Sequence, residues 1–320
     1  MSARLRSLLA AIALVATTAV AADYPERPVR LIVPFAPGGA TDIISRHISQ
    51  RMGEVLGVQV LVENRAGGAA NIGTELAARA APDGHTLLFA SISNSVNAAL
   101  FPKLRFDIQK DFAPVSLFAT VPLMLAVHPA FAAQSVQELI ALAKAPGKRL
   151  NYGSGGIGTA NHVAGELFKQ LANVEIDHIP YKGGGPALAD LAGGHLNMVF
   201  TTMTATQEMV KSGRLRALAT TGSTRSPGAP DLPTMIESGV AGYEVTAWYG
   251  VLAPAGTPQP IITRWSTGLA RIARAPEVVA SLRAQGTQTV GSTPDEFAAF
   301  LRAEIEKWAR LAKATGLRAE

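Results

Sequence analysis

The stretch Val29-Arg30-Leu31-Ile32-Val33-Pro34-Phe35-Ala36-Pro37-Gly38-Gly39-Ala40-Thr41-Asp42 decides the fold. Its β-branched start, 29–34, predicts a short strand, and Pro37-Gly38-Gly39 predicts a turn. A helix follows over 41–56, with Ile44, Ile48, Met52 and Val55 recurring on one apolar face. Strand, glycine turn and helix in that order is the opening of a parallel α/β unit.

The same alternation continues outward from this stretch. Strands are predicted over 58–62 and 86–91, with a helix over 72–80 entered from Gly67-Gly68 and the turn Pro82-Asp83-Gly84 before the third strand. A second series begins near residue 123, with strands over 123–127, 150–152, 175–179, 196–200 and 215–220. Ser135 with Glu138 three residues on is a capping-box pattern that opens a helix. Further helices open after 153–158 and 183–185, where Pro186 suits a first helical position because its missing N–H has no intrahelical partner there. The last third is Pro-rich over 227–233, then carries a strand over 243–252. It ends on a helix whose box is Thr293-Pro294-Asp295-Glu296 and whose buried stripe is Phe297, Leu301, Ile305 and Trp308.

The ends and the composition bound the compartment and the partners. Arg4 and Arg6, an apolar run over 8–20 and the small residues Ala19, Ala21 and Ala22 read as a secretory signal peptide over 1–22, cleaved near Ala21 or Ala22. The run is shorter than the roughly 20 residues a bilayer crossing needs. Removing Arg4 and Arg6 takes the formal charge from +5 to +3. The remaining basic residues are scattered, without the stripe of a nucleic-acid binder. With no cysteine there are no disulfides, no thiol catalysis and no lipid anchor on an N-terminal cysteine. A mature chain of about 300 residues is long enough for two domains.

Three glycine turns carry the functional reading: Pro37-Gly38-Gly39, Gly153-Ser154-Gly155-Gly156-Ile157-Gly158-Thr159 and Gly183-Gly184-Gly185. Glycine admits a close ligand, and the first N–H groups of a helix together with its dipole favour an anion without any Lys or Arg. His162 follows the second turn, placed to donate to such an anion, whereas Asp42 reads as a cap or as a partner for a ligand amine. Enzyme readings are weaker. Gly153, Gly155 and Gly158 with Asp177 form a dinucleotide-type G-x-G-x-x-G pattern, but it lies mid-chain in an exported protein with no hydride partner. Ser154 lacks the G-x-S-x-G elbow, and the six histidines form no H-E-x-x-H pair. The expectation is a binding protein that needs no cofactor or metal, not an enzyme.

Several stretches together resemble one family. They are 34–42; Val62-Glu63-Asn64-Arg65 with Gly67-Gly68 and Asn71; 82–86; Asp111-Phe112-Ala113-Pro114-Val115; 151–159 with His162 and Gly165-Glu166-Leu167-Phe168; Pro180-Tyr181-Lys182-Gly183-Gly184; and 253–258. In order, over nearly the whole mature chain, they resemble the extracytoplasmic receptors of tripartite tricarboxylate transporters, the Bug family. The resemblance implies a periplasmic protein of type II periplasmic-binding-protein architecture. Its two α/β lobes would be joined by a double-crossover hinge: lobe 1 over 23–122, lobe 2 over 123–246 and a return to lobe 1 over 247–320. It implies a small carboxylate ligand, a membrane transporter with one large and one small subunit as partner, and a monomer. Carried onto this chain, ligand contacts fall on Phe35, Ala36, Pro37, Gly38 and Gly39, then Ser91 and Asn94 in the first lobe. In the second they fall on Ser154, Thr159, His162, Tyr181, Gly183, Gly184 and Thr201. Many relatives place an Asp where this chain has Thr201-Thr202, which implies a plain carboxylate rather than an amino acid. The alternatives are a module presenting ligand to a membrane sensor kinase, and an exported dehydrogenase or a hydrolase using Ser154.

Overall fold

The computed structural model describes residues 24–38, 40–181 and 183–317. The expected signal peptide and its cleavage site lie outside the described residues, as does Gly39. The first series runs β1 (Val29–Val33), α1 (Ala40–Leu56), β2 (Val60–Asn64), α2 (Asn71–Ala78), β3 (Thr86–Ser91) and α3 (Ile92–Leu100). After β4 (Phe112–Val127) come α4 (Val136–Lys144), β5 (Leu150–Ser154), α5 (Ala160–Ala172), β6 (Ile176–Pro180), α6 (Gly184–Ala192), β7 (Met198–Thr202), α7 (Met203–Lys211) and β8 (Arg216–Thr220). The chain closes with β9 (Thr246–Pro254), α8 (Gln259–Ala273), α9 (Pro276–Ala284), β10 (Gln288–Thr289) and α10 (Pro294–Thr315).

Hydrogen bonding orders the strands β2-β1-β3-β9-β4-β7-β5-β6, with β8 and β10 also on β4. β1 is parallel to β2 and β3, and β5 is parallel to β6 and β7, as strands linked by crossover helices must be. β4 and β9 are the exceptions. β4 runs antiparallel to β9 from Phe112↔Pro254 to Pro122↔Thr246, then from Leu123 onward pairs with β7 and β8. One long strand therefore belongs to both halves of the sheet. It changes partners between Pro122 and Leu123, where the proline lacks a donor N–H.

Side-chain bonds tie this changeover to two other segments. Leu123 N–H donates to Thr221 Oγ1 at 2.6 Å, and Thr221 N–H donates back to Leu123 O at 2.9 Å. The Thr221 hydroxyl donates to Val245 O at 2.6 Å, and Val245 N–H donates to Thr221 O at 3.0 Å. Fully buried, this threonine ties the end of β8 to Leu123 and Val245, beside the two places where the chain passes from one half to the other.

The core follows the expected periodicities. Ile44, Ile48 and Met52 on α1 are buried and Val55 only partly so. Phe297, Leu301 and Trp308 on α10 are buried, with Ile305 partly so, each full burial being worth about 1.5–3 kcal/mol. The same stripe also buries Glu304, a position the apolar pattern skipped. Its Oε2 accepts from Trp248 Nε1 at 3.2 Å and Trp308 Nε1 at 3.1 Å, which offsets the cost of burying a carboxylate.

Several expectations need correction. The strand foreseen over 123–127 is only the end of a 16-residue β4, because Pro114 reads as a breaker. Register shifts between Pro114 and Ser116 and between Leu117 and Ala119 absorb it, as bulges do. α3 was not foreseen, since Ile92-Ser93-Asn94-Ser95-Val96-Asn97 looks like a polar loop. α7, α8 and α9 were also missed. Pro186 stands third in α6, after Gly184 and Gly185, still within the turn whose N–H groups lack partners. β7 continues to Thr202, two residues past the expected end at Phe200.

Candidate ligand site at the strand ends

Most of the described residues expected to touch ligand lie at or just beyond the C-terminal end of a parallel strand, with Asn94 and His162 in the first turn of the helix that follows. Such strand ends are where open α/β sheets bind ligands, because the helix N-termini gather there. Phe35, Ala36, Pro37 and Gly38 follow β1, and Ser91 ends β3. Ser154 and Thr159 border the turn after β5, Tyr181, Gly183 and Gly184 follow β6, and Thr201 is the penultimate residue of β7.

The first turn is exposed and shaped by charge. Gly38 has φ +85°, and its N–H donates to Asp42 Oδ2 at 3.0 Å. Asp42 also meets Arg46 Nη2 at 3.0 Å and accepts from Asn64 Nδ2 at 2.9 Å, while the same amide group donates to Phe35 O at 3.0 Å. Burial alone would raise the Asp42 pKa. The Arg46, Gly38 and Asn64 bonds outweigh it and hold the carboxyl below its usual value. All its partners are protein groups, so Asp42 organises the turn as a cap does, and nothing assigns it to a ligand amine. Beneath the turn, Gly73 is packed so closely on Pro34 and on Arg65 O that a Cβ there would meet both within 3 Å.

Ser91 and Asn94 divide the work at the start of α3. Asn94 is committed internally: Oδ1 accepts from Ser91 N at 2.9 Å and Nδ2 donates to Thr74 Oγ1 at 2.8 Å. The Ser91 hydroxyl, in a residue only 4% exposed, faces the Asn94 N–H across a capping box, and its own proton has no acceptor among the described residues. An unpaired buried hydroxyl at a helix N-terminus is costly unless a ligand or water satisfies it.

The second turn is held from within by neutral groups. Ser154 Oγ lies 2.7 Å from His178 Nε2 and accepts from Gly156 N at 3.0 Å. Gly158 N–H donates to His162 Nδ1 at 3.2 Å, and Thr159 Oγ1 donates to Gly156 O at 2.7 Å. Burial pushes the pKa of both His162 and His178 down to about 4. Behind them, the buried Tyr152 hydroxyl donates to Glu166 Oε1 at 2.7 Å and Glu166 pairs with Lys169 at 3.0 Å. The Ser154–His178 distance is that of a nucleophile and its base. Yet Ser154 is fully buried, and no carboxylate orients the other His178 nitrogen among the described residues.

The structure brings two of the three turns into contact. A Cβ on Gly155 would lie 3.1 Å from Gly184 N and 3.2 Å from Gly183 C, so the second and third turns abut. Gly183, at φ +131°, Gly184 and Gly185 have no atom within 4 Å of where a Cβ would project, so the outer side of the turn is open while Gly155 packs on its Gly184 N side. The Tyr181 hydroxyl is spoken for: it donates to Asp190 Oδ2 at 2.6 Å, which raises its pKa to about 12. Thr201 is buried opposite Met124 of β4. The two halves meet where Asn97 of α3 and Phe101 close on Gly158; a Cβ on that glycine would overlap Asn97 Oδ1. No hydrogen bond joins the 35–38 turn to the second or third turn among the described residues.

Asn97, His178 and Thr221 were missed as functional candidates. A signal existed for His178: in the parallel register it sits directly beside Tyr152, two residues before Ser154.

Comparison with known proteins accounts for this arrangement. The family model described as Tripartite tricarboxylate transporter family receptor matches residues 44–317. The protein BugT of Bordetella pertussis is 38% identical over 317 residues, covering 97% of each chain. Among solved structures, R. palustris Rpa4515 with adipate superposes with TM-score 0.89 at 35% identity, covering 92% of this chain and 99% of that one. The periplasmic binding protein BugD gives 0.87 at 33%, covering 93% and 100%. MatC from Rhodopseudomonas palustris with bound malate gives 0.84 at 31%, covering 90% and 99%. The fold is thus the type II periplasmic-binding-protein architecture of two α/β lobes and a double-crossover hinge. This chain belongs to the tripartite tricarboxylate transporter receptor family, a family of solute-binding receptors.

Proposed function

We propose that the chain is a periplasmic receptor that closes its two lobes over a small organic carboxylate and delivers it to a tripartite tricarboxylate-type membrane transporter. Lobe 1 comprises 23–122 and 247–320, and lobe 2 comprises 123–246. The observation that carries the proposal is a donor group without an acceptor of its own at the strand ends of each half. The Ser91 hydroxyl proton at the start of α3 and the α6 N-terminus, open on the outer side of its turn at Gly183–Gly185, are both suited to an anion. Adipate and malate in two neighbours of this fold are dicarboxylates, in keeping with one anion half-site on each lobe. Closing the cleft excludes water and strengthens each charge-assisted bond.

Thr201-Thr202 supplies hydroxyls and no carboxylate, and Asp42 is fully engaged by Arg46, Asn64 and Gly38. Nothing there would pair with a ligand amine, so the ligand is a plain carboxylate and not an amino acid. The protein acts as a monomer, with transporter subunits, one large and one small, as its partner.

The test is a thermal-shift panel on ligand-stripped protein: mono-, di- and tricarboxylates, aspartate, glutamate and NAD. A ligand at one hundred times its Kd adds about 2.7 kcal/mol of stability. Stabilisation by a dicarboxylate and none by NAD supports the receptor. A shift with NAD alone, or turnover abolished by Ser154→Ala, contradicts it. Tighter binding of aspartate or glutamate than of their deaminated analogues contradicts the plain-carboxylate assignment.

A further inference from the structure

Two N–H groups of the second glycine turn end on side chains of the protein, and both lead to a histidine. Gly158 N–H reaches His162 Nδ1 directly at 3.2 Å. Gly156 N–H reaches Ser154 Oγ at 3.0 Å, and that oxygen lies 2.7 Å from His178 Nε2. The two rings lie against each other with centroids 4.4 Å apart, and His178 in turn stacks on Tyr152 at 4.8 Å and 23°. We propose that His162 and His178 are positioning residues: one through its Nδ1, the other through its Nε2, they set the shape of the turn 153–159 that faces the ligand. This rests on the receptor reading above, but it concerns the turn itself and is testable without any ligand.

The hydrogen-bond directions dictate the protonation state. A backbone N–H only donates, so His162 Nδ1 must present its lone pair and any ring proton sits on Nε2. Protonating Nδ1 would set two donors against each other and release Gly158. His178 Nε2 tolerates either direction, because the Ser154 hydroxyl can donate or accept. The groups facing the pair are Glu166 and Lys169 on α5, Tyr152 on β5 and Ser154 at the head of the turn. Tyr243 packs nearby through its bond to Ala164 O, and the uncharged Asn97 and Phe101 approach Gly158 from α3. Burial is the largest influence on both rings and favours the uncharged form, with the Glu166 charge opposing it.

The choice of nitrogen makes a crossed test. Asn places its amide oxygen where His carries Nδ1, and Gln places its terminal group where His carries Nε2. His162→Asn therefore keeps an acceptor for Gly158 and His162→Gln does not, whereas His178→Gln keeps a partner for Ser154 and His178→Asn does not. Amide exchange of Gly156 and Gly158 is read by NMR in ligand-stripped protein, and affinity is read by calorimetry with adipate as probe. Loss of one such buried bond corresponds to about tenfold. The expected result is about tenfold faster exchange and weaker adipate binding in His162→Gln and His178→Asn, with His162→Asn and His178→Gln retaining most of both. The Gly158 amide shift should also titrate with a midpoint near 4 in the wild type and titrate with a much smaller amplitude in His162→Asn, where His178 alone remains. Should a histidine variant fail to fold, Ser154→Ala replaces it, with faster exchange expected at Gly156 alone. Equal exchange in all variants overturns the proposal. So does the reversed pattern at His162, with Gln retaining affinity and Asn losing it, which would make Nε2 a ligand contact. The crossed exchange pattern in a protein that binds no carboxylate at all would uphold the positioning role and refute the carboxylate reading instead.

Discussion

The turn after β1 and the turn after β5 occupy equivalent places in the two lobes, and they are held by opposite means. The first is exposed and fixed by an ion pair, Asp42–Arg46, with Asn64 as a splint. The second is buried and fixed by uncharged imidazoles and a hydroxyl. A charge is tolerable at the first because water screens Arg46, which is half exposed. At the second, charge would be desolvated, so the sequence uses groups that keep hydrogen-bonding power without carrying one. Each turn should therefore fail under different conditions.

Acid is the strongest way to separate them. His162 has a folded pKa below its unfolded value of about 6.5, so its contribution is complete above that value and is lost as pH falls towards 4. From pH 7 to pH 4 we expect a loss on the order of 2–3 kcal/mol through this ring, measured as the difference in denaturant stability between wild type and His162→Asn. Asp42 also has a lowered pKa, so its contribution persists above its unfolded value of about 4 and is lost only below that, as pH falls through the folded pKa. The second turn should loosen first on acidification.

Gly158→Ala comes next. At φ +81° any side chain is strained, and this one would also overlap Asn97 Oδ1. Strain and overpacking are both present without ligand and together cost about 2–3 kcal/mol of folding stability. The melting temperature should therefore fall by several degrees, and carboxylate affinity should drop as well if the bound state keeps the Asn97 contact. Calorimetry beside a thermal melt checks both halves; equal affinity would show that Asn97 and Gly158 do not meet in the bound state. Ser91→Ala should weaken binding by about tenfold and cost the unliganded protein about 0.5–1 kcal/mol, because Ser91 is the N-cap of α3. The smallest effect belongs to Asp42→Asn. Removing a charge from a partly screened pair costs about 1 kcal/mol of stability and a few-fold in affinity, and high salt should shrink the difference.

What could be read in the sequence follows the same division. Period and turn chemistry placed β1, β3, α1 and α10 nearly residue for residue, because burial imposes those patterns directly. β4 was hidden by Pro114 and Pro122, which its bulges and partner change accommodate, and α3 by four polar residues over 92–97, of which Asn94 and Asn97 bond to Thr74, Asn71 and Ala69. At the site, glycine turns are legible because backbone geometry demands glycine. Side-chain assignments were not, since Ser154, Asn94 and Tyr181 hydrogen-bond within the protein and only the fold reveals those partners. His178 becomes meaningful once β5 and β6 are aligned in register.

The most direct test of the central claim, that two differently built half-sites clamp one carboxylate, is a crystal structure of the stripped protein soaked or grown with adipate. The account predicts one carboxylate group against Ser91 and the α3 N-terminus, and the other against the α6 N-terminus at Gly183–Gly185. Adipate bound to one lobe alone, or anywhere outside the cleft between the Ser91 and Gly183 strand ends, would contradict it.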